Sequence, residues 1–137
     1  MSMTAVKVYV TNLRLPLGIE VVNILVHRIA HWNSIGTTYV DMASLVVSAV
    51  AVFLASWLHM RRTRHLGRAV LAGMFIWAAA VALVAILLVA ELLLFTPLRE
   101  NEGLLAIGGY VLASVLFLPA VMLISGIAAF IAKHAAP

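Results

Sequence analysis

Two stretches of this chain stay apolar for too long to fold in water. One runs from Tyr39 to Met60 and the other from Ala69 to Thr96. About 20 apolar residues in helical form cross the hydrocarbon core of a bilayer, so each stretch is long enough to span. Between them stands Arg61-Arg62-Thr63-Arg64-His65-Leu66-Gly67-Arg68. Arginine clustered between two spans marks the cytoplasmic side of a membrane. Together they constrain the chain to an integral membrane protein with a defined direction across the bilayer.

Composition agrees. The chain is 65% hydrophobic and only 10% charged, whereas soluble domains carry about 25% charged residues. Its 137 residues suit one transmembrane domain covering the whole chain. The net charge of +4 does not point to nucleic acid, because four of the nine Lys and Arg lie in the 61–68 loop and no basic helix or aromatic stacking platform accompanies them. Cysteine is absent, which excludes disulfides, thiolate metal sites and Cys nucleophiles. The first residues lack a basic leader followed by an apolar core, so no secretory signal peptide is expected.

The expected fold is all-α, a bundle of four transmembrane helices over residues 16–33, 38–62, 67–96 and 104–133. Ahead of them, Val6, Val8 and Val10 alternate with Lys7, Tyr9 and Thr11. That pattern fits an extended segment or docked tail, although a helical start is equally compatible. Pro16 suits a helix first turn. The first helix is short and carries a polar stripe, Glu20, Asn23, His27 and His31, at helical period. Such a helix either crosses with the stripe facing protein or lies at the interface, and crossing is favoured. Pro97 should end the third helix and Pro119 should kink the fourth, freeing a carbonyl near Val115 that Ser114 helps satisfy.

Charge supports the crossing. With the 61–68 loop inside and four spans, Lys7, Arg14 and Lys133 join Arg61, Arg62, Arg64 and Arg68 in the cytoplasm, seven of the nine cations. Both termini are then cytoplasmic and the protein belongs to the cell membrane.

Candidate site residues follow from polarity at depth. His27 and His31, four apart on one face, could bind a cofactor, with one imidazole holding a haem b iron. Two imidazoles alone do not complete a metal site, so no metal is expected. Glu20 and Glu91 are candidates for an ion or proton path, and Glu91 could also pair with Arg28 or Arg99. Asp41 reads as a helix cap. Ser44, Ser48, Ala51 and Ala55 form a small-residue face for helix packing. Trp57 and His59 suit the headgroup level. Arg61, Arg62, Arg64 and Arg68 could contact anionic lipid or an acidic partner. No Gly-rich phosphate loop, His-Glu-x-x-His or Gly-x-Ser-x-Gly is present, and no catalytic residue is expected.

Val26-His27-Arg28-Ile29 resembles the start of the first helix in cytochrome-b anchor subunits of succinate dehydrogenases. The likeness covers those four residues. Ala30-His31 stands where a Thr-Gly or Ser-Gly pair belongs, and Ser44 to Ala55 contains no second ligand His. The Arg61–His65 loop is similar to one in small membrane subunits of tripartite carboxylate transporters. Neither likeness assigns a family. The expected function is a non-catalytic accessory or anchor subunit of a larger membrane complex, respiratory or electron-transferring, with lipid and other membrane subunits as partners and no nucleic acid. The alternatives are a small homo-oligomeric transporter or channel, and a haem b-binding membrane anchor.

Overall fold

The computed structural model describes residues 2–33, 37–95 and 100–135, and all their regular structure is helical. In chain order the elements are α1 (Met3–Trp32), α2 (Thr37–Thr63), α3 (Leu66–Phe95), α4 (Glu100–Leu116) and α5 (Leu118–His134). Three stretches, Val6–Trp32, Thr38–Thr63 and Leu66–Leu94, are long and apolar enough to cross a membrane. α4 and α5 meet at a bend of 41°, and together they make a fourth such stretch if the bent pair is one span.

α1 departs from the expected 16–33. It runs unbroken from Met3 with Pro16 inside it, so the Val6–Thr11 segment is helix. A proline removes one N–H and crowds one carbonyl, and more than three further turns of helix lie ahead of it. Tyr9, Leu13 and Leu17 lie against the core, while Val6 and Val10 face outward. The expected 104–133 helix is likewise two helices. Phe117 separates them and Pro119 stands at the start of α5. The Asn33–Thr38 connector and the stop at Pro97 fall largely on residues 34–36 and 96–99, outside the described residues. α4 is already helical at Glu100.

The interior is built from small and polar side chains. Ala51, Val52, Ala55, Ser56, His59 and Met60 of α2 are buried at helical spacing, as are Ala69, Ala72, Ile76 and Ala80 of α3. Val121, Ser125, Ala128, Ala129 and Ala132 form the matching face of α5. Small residues let helix backbones approach closely where lipid removes the hydrophobic drive between helices. Outward-facing positions carry the bulk, among them Val46, Leu71, Phe75, Ile86 and Leu123. Polar inside with large apolar side chains outside reverses the order of a water-soluble bundle.

Contacts give each helix its direction. His27 and His31 near the end of α1 meet Asp41 near the start of α2, and Asn12 meets His59, so α1 and α2 are antiparallel. Met60, Ala69, Ala129 and Ala132 pack together, which brings the ends of α2 and α5 to the start of α3. The α2–α3 turn is tight: Arg64 takes a left-handed φ of 58° and its amide donates to the Met60 carbonyl at 2.9 Å.

Candidate functional site

Three groups of polar side chains mark three levels of the bundle. The first is at the end where α1 stops and α2 begins. Nε2 of His27 lies 2.5 Å from Asp41 Oδ1, and Nε2 of His31 lies 2.9 Å from the same oxygen. The two imidazoles are one helical turn apart, with ring centroids 4.6 Å from each other. Asp41 sits within α2, a turn past its start at Thr37. Its carboxylate accepts from the histidines, which is not the capping role expected of it. The Nε2 atom that would ligate a haem iron is, on each imidazole, directed at this carboxylate.

Arg28, beside His27, reaches the other way. Its Nε donates to Glu91 Oε1 at 2.7 Å and its Nη2 to Glu91 Oε2, a two-pronged pair that ties α1 to α3. Both side chains are largely buried. Charge-assisted, bidentate geometry is the strongest form of such a bond. Glu91, a candidate for an ion path, is thus committed to an arginine, and Arg99 lies outside the described residues.

The second group is at mid-helix. Glu20 stands one residue past the centre of the Val6–Trp32 stretch and is 2% exposed. Ser48 Oγ donates to Glu20 Oε2 at 3.1 Å. Asn23 Nδ2 reaches Glu20 Oε1 at 3.5 Å, the Ser44 carbonyl at 3.1 Å and Ser48 Oγ at 3.2 Å. α1 supplies the carboxylate and amide, and the small-residue face of α2 supplies the hydroxyl and carbonyl. Residue size explains the approach: Ser44 and Ser48 leave room for a carboxylate where a larger side chain would not. Ala51 and Ala55 continue that face fully buried against the rest of the core.

Glu20 lines a cavity of about 250 Å³ that also takes in His27, Asp41, Ser44, Ser48, Trp77, Tyr110 and Ser114. The cavity therefore runs from His27 and Asp41 to the buried carboxylate. Trp77 is a member that sequence reasoning did not single out. Its indole Nε1 donates to the Ser114 carbonyl at 3.2 Å, in the last turn of α4, where the break before Pro119 leaves carbonyls without helical donors. Ser114 Oγ itself donates to the Tyr110 carbonyl at 2.8 Å.

The third group is at the opposite end. Asn12 Nδ2 and His59 Nδ1 are 3.2 Å apart, and the Tyr9 ring lies 4.3 Å from the His59 ring. Tyr9 donates its hydroxyl to the Arg68 carbonyl at 2.9 Å. His59 and Asn12 are buried, so His59 faces the interior of the bundle. Trp57 is half-buried with the Arg61 guanidinium 5.1 Å from its ring centre. Arg61, Arg62, Arg64 and Arg68 are exposed. A second cavity, of about 470 Å³, is lined here by Tyr9, His59, Thr63 and Arg68.

Compared with protein-family models, curated proteins and solved structures, the chain matches none.

Proposed function

We propose that this chain is a multi-pass protein of the cell membrane, with four spans and both termini cytoplasmic, that passes protons through its own bundle. Glu20 is the group that takes up and returns the proton. One observation carries the reading: a carboxylate near the centre of a span, sealed from the lipid and lining the cavity that starts at His27 and Asp41. An ionisable group at that depth is costly, and where it occurs it faces a protein interior or a water-filled path. Asn23 and Ser48 offer donors to the ionised form. A carboxylate within reach of a hydroxyl and an amide is a group that can take up and return a proton.

The second cavity, from the arginine-loop end, supports the same reading. Between His59 and Glu20 stands an apolar layer that includes Leu13, Val52 and Ile76. Asn12 and Glu20 are eight residues apart, about 12 Å along the helix. Transfer between the cavities requires that layer to admit water or to part, which makes it the gate. The accessory-subunit reading, in a respiratory or other complex, rests on a free small-residue face and on scarce polar groups at depth. That face is occupied within the chain by Glu20 and Asn23, and Glu20, Asn12 and His59 are all interior. These placements favour transport.

The test is proton flux. The full chain is reconstituted in liposomes containing a pH-sensitive dye, and a potassium diffusion potential is imposed. Wild type should shift luminal pH faster than protein-free vesicles, and Glu20→Gln should return the rate to that of the bare bilayer while keeping its helical content. A wild type no faster than empty vesicles, or a Glu20→Gln variant as fast as wild type, overturns the proposal.

A further inference from the structure

We infer that His27, His31 and Asp41 form a binding site for a divalent transition-metal ion of the zinc class, at the mouth of the cavity that reaches Glu20. One Nε2 from each imidazole and one carboxylate oxygen converge from two helices, all within 4.8 Å of one another. Zinc takes nitrogen and oxygen ligands at about 2.0–2.2 Å, which sets neighbouring ligand atoms of a tetrahedral centre about 3.4 Å apart. The present separations of 2.5 and 2.9 Å to Asp41 Oδ1 need to widen by about 0.9 and 0.5 Å to reach that value. An entering ion takes the place of the protons on the Nε2 atoms, so the same atoms turn from hydrogen-bonding to ligation.

The donor set selects the ion. Two neutral imidazoles and one carboxylate suit zinc, copper or nickel and disfavour calcium and magnesium, which take oxygen. Three protein ligands also leave one position of a tetrahedral ion open. Local charge permits the ion: the neighbouring cation, Arg28, is matched by the Glu91 carboxylate. The side chains are partly exposed, with Asp41 the most open at 50%, so the ion has a way in. Sequence spacing alone shows only the two imidazoles. The third ligand comes from across the α1–α2 connection.

Zinc binding to the untagged full chain in detergent, followed by calorimetric titration with zinc chloride, tests this. The expected result is one ion per chain. Each of His27→Ala, His31→Ala and Asp41→Asn should weaken binding by about tenfold or more, since even outer contacts of metal sites are worth that much. His65→Ala and His134→Ala, at the other end of the bundle, should leave it unchanged. Zinc should also raise the thermal midpoint of wild type and not that of Asp41→Asn, because only a ligand that binds the folded form stabilises it. That comparison is read within each variant, with and without zinc, so a variant with a lower starting stability still reports. Absence of zinc binding by wild type overturns the inference. So does binding that survives Asp41→Asn, or binding lost in His65→Ala or His134→Ala. The outcome is independent of Glu20: a chain that moves no protons can still hold zinc here.

Discussion

Gly73 of α3 shows how closely three helices meet. A Cβ built there would overlap the hydroxyl oxygens of Ser125 on α5 and Ser56 on α2. Both hydroxyls are buried and have no hydrogen-bond partner among the described residues. Gly73→Ala should therefore lower stability by about 1–3 kcal/mol, the usual cost of overpacking. Ser125→Ala deletes an unsatisfied polar atom and should be neutral or slightly stabilising. The double variant Gly73→Ala/Ser125→Ala should recover much of the loss, since neighbours sharing a space are not additive. Unfolding in mixed micelles measures all three, and a Gly73→Ala variant as stable as wild type shows that the serines turn aside freely. At this level the sequence discloses part of the site. The stripe Glu20, Asn23, His27 and His31 follows from helical period. What it faces does not: Ser48 and Asp41 lie on another helix, and period says nothing about how two helices are rotated against each other. The pairing of Asn12 with His59 is hidden for the same reason, since the two lie on different helices.

The helices themselves were easier to foresee in lipid-suited stretches than at their ends. α2 and α3 run close to the expected spans because continuous apolar sequence admits one regular solution in hydrocarbon. α1 extends some thirteen residues earlier than Pro16 suggests. Alternation of Val6, Val8 and Val10 misleads there, because valine is compatible with a packed helix and a short period-two cue is weak. Pro119 lies just past a break, but the Ser114 hydroxyl donates to the Tyr110 carbonyl and not near Val115, and it is Trp77 that reaches a carbonyl at the end of α4. The α2–α3 turn invites a specific change. Arg64 holds a left-handed backbone, which costs a residue with a Cβ about 1–2 kcal/mol. Arg64→Gly removes that cost, and glycine is the residue that ends helices in this conformation most often. The variant should be more stable by about 0.5–1 kcal/mol, the lower figure reflecting glycine's greater freedom when unfolded. The same unfolding assay decides it, and a destabilised Arg64→Gly means that the arginine side chain contributes more than its backbone strain costs.

Antiparallel packing gathers many of the cations at one end of the bundle. The loop from Arg61 to Arg68 joins α2 to α3, Lys7 lies in the first turns of α1 and Lys133 in the last turn of α5. Asn12 on His59 and Tyr9 on the Arg68 carbonyl bring the start of α1 to that loop, and Ala129 and Ala132 on Met60 and Ala69 bring the end of α5 there. Arg28, with its Glu91 partner, is at the other end. The proposed orientation, with the His27–His31–Asp41 group on the outer face and the arginine loop in the cytoplasm, follows the rule that cations stay inside. The lack of cysteine makes this directly measurable, because any single introduced thiol is the only one. Ser2→Cys and Thr63→Cys should both react with a membrane-impermeant maleimide in inside-out vesicles and stay protected in intact cells. Tyr39→Cys, exposed at the start of α2, should do the reverse. Ser2 and Thr63 reporting opposite faces rules out α1 as a crossing helix, and with it a Glu20 at mid-bilayer. Ser2 and Thr63 reacting from the outer face and Tyr39 from the inner one rules out the charge-based orientation while leaving the bundle intact.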